Sequence, residues 1–204
     1  MDVDGKRAEE SRKAAMWKMR LSTGSVHAQL TQIAANQISS IDWSHSMSFA
    51  GLNREDQAAA IVAIARAGSS LTSVNLSCVG ITDASAPAIA ELLRSRHPLR
   101  ELLLGAHEMR EASIIQIARA AHAHSALEVL DIAGKHDLSS VAVHALCDTL
   151  EGNSALHKLG LGTIRDATAR VRFERVQAKA LERRRRRRRS SSNEGLDSVF
   201  NLSA

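Results

Sequence analysis

The sequence predicts an α/β solenoid: a short, curved sheet of parallel strands, a helix on the convex side behind each strand, and helical caps at both ends. Three observations predict it. An aliphatic hexad recurs at intervals of 28, 28 and 29 residues. Each interval carries apolar residues at helical spacing in matching columns. The segments flanking the array are amphipathic but out of phase with it, as caps must be, because a stack of like units exposes an apolar flank at each end.

The strands come first. The pattern L-x-x-L-x-L, with other aliphatics allowed, reads Leu71, Val74, Leu76; Leu99, Leu102, Leu104; Leu127, Leu130, Ile132; and Leu156, Leu159, Leu161. A weaker copy, Ile38, Ile41, Trp43, stands 33 residues before the first, an interval enlarged by about five residues over its successors. Five strands are expected, each alternating buried and outward residues.

The helices follow from counting back from each hexad. Thirteen before stand Ala58, Ala86, Ile114 and Val143; ten before, Ile61, Ile89, Ile117 and Leu146. Nine before come Val62, Ala90, Ala118 and Cys147, and six before, Ala65, Leu93, Ala121 and Leu150. These offsets form the i, i+3, i+4, i+7 stripe of a helix with one buried face. No single unit buries that face alone; parallel stacking gives one continuous core.

On these residues the chain resembles the leucine-rich repeats of the ribonuclease-inhibitor-like class, over about residues 38–163. The resemblance implies a leucine-rich-repeat solenoid that binds a protein on its concave face. One departure stands out. The asparagine or cysteine that the family places eight residues after the first leucine is replaced by Val79, His107, Lys135 and Ile164. The turn amides that it would serve need other acceptors, water or a looser loop, and irregular turns are expected. Gly80, Gly105, Gly134, Gly160 and Gly162 cluster just past the strands, where tight or positive-φ geometry is wanted.

The ends complete the architecture. Residues 1–37 read as an N-terminal helical cap, with Val26, Leu30 and Ile33 on one helix and Met16, Trp17 and Met19 on a second. Residues 164–189 read as a capping helix, marked by Ala169, Phe173, Val176 and Ala180 and running into an arginine run. Residues 190–204 turn polar and are expected to form a disordered tail.

Composition limits the function. With 44% hydrophobic and 24% charged residues in 204, the chain suits one folded domain. No uninterrupted apolar stretch is long enough to span a membrane and no signal-peptide core opens the sequence, so a cytoplasmic or nuclear monomer is expected. Cys78 and Cys147 form no CxxC pair. His122, His124, His136 and His144 lack metal-ligand spacing, and no phosphate-binding loop or nucleophile elbow is present. No enzyme, metal or cofactor is expected. The net charge of +5 includes the seven arginines of one run; without them the balance is −2.

Two binding features remain. On the concave face the outward positions include Asp42, Asn75, Glu101, Leu103, Val129, Asp131 and Lys158, with exposed apolar Leu103 and Val129 among carboxylates. Such a face suits a protein partner bearing an apolar knob and a basic rim, and the chain reads as a scaffold or adaptor. The second feature is the run Arg183, Arg184, Arg185, Arg186, Arg187, Arg188 and Arg189, a cationic handle outside the repeats. It could meet nucleic acid or an anionic surface through charge, or serve as a nuclear signal. Ser190, Ser191 and Ser192 next to it are candidate phosphorylation sites. Folding of this tail back onto the acidic concave residues is a further expectation. The GTPase-activating proteins of the nuclear-transport GTPase share the repeat class and give a minor alternative, although they typically end in an acidic tail.

Overall fold

A computed structural model describes residues 25–67, 70–95 and 97–200. Its elements, in chain order, are α1 (Ser25–Ala34), β1 (Ser40–Asp42), α2 (Met47–Ala50), α3 (Arg54–Arg66), β2 (Ser73–Asn75), α4 (Ala86–Arg94), β3 (Glu101–Leu103), α5 (Glu111–His122), β4 (Val129–Ile132), α6 (Ser140–Gly152), β5 (Lys158–Leu161) and α7 (Ala167–Phe200). The strands form one parallel sheet in sequence order, β1 to β5. A helix follows each strand, and α3 to α7 pack in series, each on the next.

The hexads supply the strand half of the core. Val74, Leu76, Leu102, Leu104, Leu130 and Ile132 are fully buried, and so are Leu71, Leu99, Leu127 and Leu156 at the strand entries. Removing one such side chain from water contributes about 1.5–3 kcal/mol. The helical columns bury as the spacing predicts in α4, α5 and α6, where Ile89, Leu93, Ile114, Ile117, Leu146 and Cys147 all face inward.

The first repeat differs. In α3 the buried residues are Gln57, Ala60, Ile61 and Ile64, while Ala58, Val62 and Ala65 are only partly covered. The stripe has turned by about one residue. The cause lies in the enlarged loop, which holds the extra helix α2, capped by the Ser46 hydroxyl accepting from the Phe49 amide at 3.3 Å. Phe49 stacks on Trp43 with ring centroids 4.8 Å apart. Gln57 is drawn inward to donate to the carbonyls of Phe49 and Val79, each at 3.3 Å. A buried amide that bridges the inserted helix to the next turn outweighs the simple apolar pattern.

The turns close without the family's asparagine. Asp42, Asn75 and Asp131 each accept through Oδ1 from the amide two residues on, at 2.9, 3.1 and 3.0 Å. These are Asx turns, which give the chain a polar side chain as a local partner at each strand exit. Among the described residues those with positive φ are Gly80 and the non-glycines Asn36, His45, Cys78 and Ala106. The other four glycines of the strand exits therefore do not supply a left-handed turn. Gly134 answers a different need: a Cβ there would lie 2.3 Å from His107 Cε1.

Both ends are covered. Val26, Leu30 and Ile33 of α1 are buried on the first repeat. At the other end Ala169, Val176 and Ala180 of α7 are buried, and Phe173 packs partly against the core. Gln177 of α7 completes the outer edge of the sheet: its Oε1 accepts from the Leu159 amide at 3.0 Å and its Nε2 donates to the His157 carbonyl at 2.7 Å. Covering that strand edge removes a template for pairing with another chain.

Helix α7 continues to Phe200, past Ser190, where the composition leads one to expect a disordered tail. Arginine is a strong helix former and no proline interrupts the segment, so a helix anchored at its start propagates. Residues 201–204, and the second N-terminal helix expected around Trp17, lie outside the described residues. Among the described residues no helix is long and apolar enough to cross a membrane.

Candidate functional site

The sheet register places the outward residues in two rows across the face away from the helices. One row runs Ser40, Ser73, Glu101, Val129, Lys158; the other runs Asp42, Asn75, Leu103, Asp131, Gly160. All seven residues singled out in the sequence thus share one face. Leu103 and Val129 sit on adjacent strands at its centre, each with a carboxylate neighbour: Glu101 pairs with Val129, and Leu103 with Asp131.

Several of these side chains are already engaged. Glu101 accepts from the Ser73 hydroxyl at 3.1 Å. The Asp42 carboxyl accepts both the amide and the hydroxyl of Ser44 through Oδ1, and these bonds hold it below the usual carboxylate range. The Asp131 carboxyl lies over Gly160, its neighbour in β5, where a Cβ would fall 2.5 Å from Asp131 Oδ1. Oriented carboxylates on a rigid sheet are suited to meeting a basic rim on a partner, since little side-chain freedom is left to lose on binding.

The arginine run divides into parts with different surroundings. Arg183 is half-buried and donates to the carbonyls of Leu150, Glu151, Asn153 and Leu156 at 2.8, 3.2, 3.3 and 3.3 Å. It closes the C-terminus of α6, where unpaired carbonyls carry partial negative charge. Arg185 and Arg186 pair with Glu182 at 3.9 and 3.2 Å. Arg184, Arg187 and Arg188 line a cleft of about 670 Å³. The run is therefore not a handle detached from the repeats. Its engagement with the α6 end and the strand-entry corners also differs from the expected fold-back onto Asp42, Glu101 and Asp131.

Two of the histidines, His107 and His124, are structural parts of the turns. His107, fully buried, stands where the family places its asparagine; its Nε2 donates to the Ile132 carbonyl at 3.1 Å and its Nδ1 accepts from the Met109 amide at 3.1 Å. At the opposite corners His124 and Asn153 occupy equivalent positions, three residues before Leu127 and Leu156. Each accepts from two amides ahead of the strand, at 3.3 and 3.1 Å for His124 and 2.9 and 3.0 Å for Asn153. Burial pushes the pKa values of His107 and His124 below the ordinary histidine value. These partners were not visible in the sequence, although the column position of His107 was a signal. Cys147 is buried, which raises its thiol pKa, and Cys78 is exposed. Among the described residues no group of three histidine, cysteine or acidic side chains is placed to hold a metal ion.

A sequentially ordered parallel sheet with one helix layer defines the chain as a leucine-rich-repeat-like solenoid. Two solved structures share the fold: the actin-binding site 2 of leiomodin-1, with a TM-score of 0.73, and the tropomodulin C-terminal domain of Caenorhabditis elegans, with 0.68. Leiomodin-1 is 18% identical, the alignment covering 84% of this chain and 98% of that one; the tropomodulin domain is 17% identical, with 82% and 99% covered. No family model matches the sequence, and no curated protein matches it.

Proposed function

We propose that this chain is a non-enzymatic protein-binding module that engages its partner through the open face of the sheet. The observation that carries the reading is the two-row array, in which apolar Leu103 and Val129 are set among Glu101, Asp131 and Asp42 on five consecutive strands. An apolar centre with a polar margin is the usual anatomy of a protein-binding patch. Asn75 and Lys158 extend the rows to either side. Actin is the first partner to test, because a structure of the same fold is an actin-binding site of leiomodin-1. The repeats are further proposed to belong with the ribonuclease-inhibitor-like class on their length, and the setting to be the cytoplasm or the nucleus.

The test is binding of the full chain to purified actin, monomeric and filamentous, by fluorescence anisotropy. Leu103→Arg combined with Asp131→Lys should weaken the complex by at least about tenfold, the loss of one central contact. Equal binding by the wild type and this variant would remove the sheet face from the account. No binding by the wild type would remove actin as the partner.

A further inference from the structure

A second site lies on the side of the solenoid where the helices hand over to the strands. Two corners, Ser125–Glu128 leading into β4 and Ser154–His157 leading into β5, form one wall of the 670 Å³ cleft; α7 from Ala180 to Arg188 forms the other. Four arginines line it. Arg184, Arg187 and Arg188 stand at i, i+3 and i+4 and so share one face of α7, and Arg100 reaches in from the corner before β3. The single carboxylate of the lining, Glu128, lies 3.5 Å from Arg100. Four cationic side chains and one carboxylate thus line the cleft.

The wall also contains a buried polar atom without a partner. His157 is 3% exposed, and its Nε2 has no hydrogen-bond partner. Burial, followed by the nearby Arg184, keeps the pKa of the ring below the ordinary histidine value. A buried ring nitrogen left unmatched is costly unless something occupies the cleft.

We propose that this cleft binds a compact, multiply phosphorylated anion of the inositol polyphosphate type, met by Arg100, Arg184, Arg187 and Arg188, with His157 Nε2 making the contact at the wall. Guanidinium forks fit phosphate oxygens two at a time, and the hydroxyls of Ser125 and Ser154 add donors at the rim. The volume of this open cleft suits a compact ligand. No aromatic side chain other than His157 lines the cleft, so single-stranded nucleic acid would find no stacking platform. The same chemistry is offered by a free polyphosphate and by a phosphoinositide headgroup.

Binding is coupled to protonation of His157. Arg184 and Arg188 disfavour the imidazolium and Glu128 favours it; Arg100 and Arg187 line the same cleft. A bound phosphate outweighs the arginines, and His157 then takes up a proton and donates through Nε2. The advantage of the wild type over His157→Gln should therefore grow as pH falls from about 7.5 to about 6, through the ordinary histidine range.

The experiment is calorimetric titration of the full chain with inositol hexakisphosphate, inorganic phosphate and a short oligothymidine, with flotation on phosphatidylcholine vesicles doped with phosphatidylinositol bisphosphate. Inositol hexakisphosphate is expected to bind one to one. Arg184→Glu with Arg188→Glu should weaken it at least about tenfold, and Arg185→Glu with Arg186→Glu, of equal charge change, less than about threefold. Vesicle flotation that free inositol hexakisphosphate abolishes supports the headgroup as a source; binding of the solute without flotation supports the free ligand. Equal loss in the two double variants, full displacement by oligothymidine at matched phosphate, or no binding of inositol hexakisphosphate would each overturn the proposal. The cleft and the sheet face are separate, so an actin result leaves this one untouched.

Discussion

His107 and Ile132 join neighbouring repeats through one buried bond: the imidazole Nε2 donates to the Ile132 carbonyl at 3.1 Å, while Nδ1 of the same ring accepts from the Met109 amide. The ring thus serves both sides of a turn, as a neutral tautomer. Replacing it with alanine leaves a buried carbonyl and a buried amide unmatched, at about 1–3 kcal/mol each. His107→Ala should lower stability by about 2–5 kcal/mol in urea unfolding. His107→Asn, which keeps a side-chain donor and an acceptor at this position, should recover at least about half of that loss.

Gly134 is coupled to the same ring. A Cβ at Gly134 would sit 2.3 Å from His107 Cε1, and the two hydrogen bonds of the ring prevent it from swinging away. Gly134→Ala should cost about 1–3 kcal/mol as overpacking. In the His107→Ala background the same change should cost at least about 1 kcal/mol less, a coupling read from a double-mutant cycle. Additive losses would mean that the clash is relieved by other movement.

Acid should weaken the fold through its buried histidines. His107, His124 and His157 all have pKa values held below the ordinary 6.5, chiefly by burial. Below that value the unfolded chain binds protons that the folded chain refuses, so stability falls as pH drops through about 6.5 and continues to fall until each folded pKa is reached. Each group adds a slope of up to about 1.4 kcal/mol per pH unit. Unfolding midpoints should be flat from about pH 7.5 to 8.5 and decline steadily from 6.5 to 5, with a shallower decline in His107→Asn. A stability independent of pH over that range would contradict the neutral state of these rings.

Arg183 is expected to behave as a structural residue within a run that otherwise lies at the surface. Its guanidinium gathers four carbonyls at the end of α6 and fastens α7 there. Arg183→Ala should cost about 1–3 kcal/mol and raise amide exchange from Leu150 to Leu156. Arg183→Lys should rescue little, because one ammonium cannot span the same set of acceptors. Arg185→Ala, which removes only an exposed pair with Glu182, should change stability by less than about 0.5 kcal/mol.

By itself the sequence determined the number, order and direction of the strands and the inward columns of α4, α5 and α6. Those features follow from the periodic burial of apolar side chains, which depends on spacing alone and repeats every 28 or 29 residues. It also placed Asp42, Asn75, Glu101, Leu103, Val129, Asp131 and Lys158 on one face, since alternation along a strand is fixed by backbone geometry. Tertiary structure decided what spacing does not encode, namely which polar group meets which across a repeat. Gln57 turned the face of α3 because its amide found two carbonyls, one of them 22 residues away, and His107 closes its turn because the Ile132 carbonyl lies within reach. The arginine run shows the same division most plainly. Its charge was legible at once, yet only the docking of α7 separated Arg183, which caps a helix, from Arg184, Arg187 and Arg188, which line a cleft, because hydrogen bonds are directional and local while charge and hydrophobicity are not.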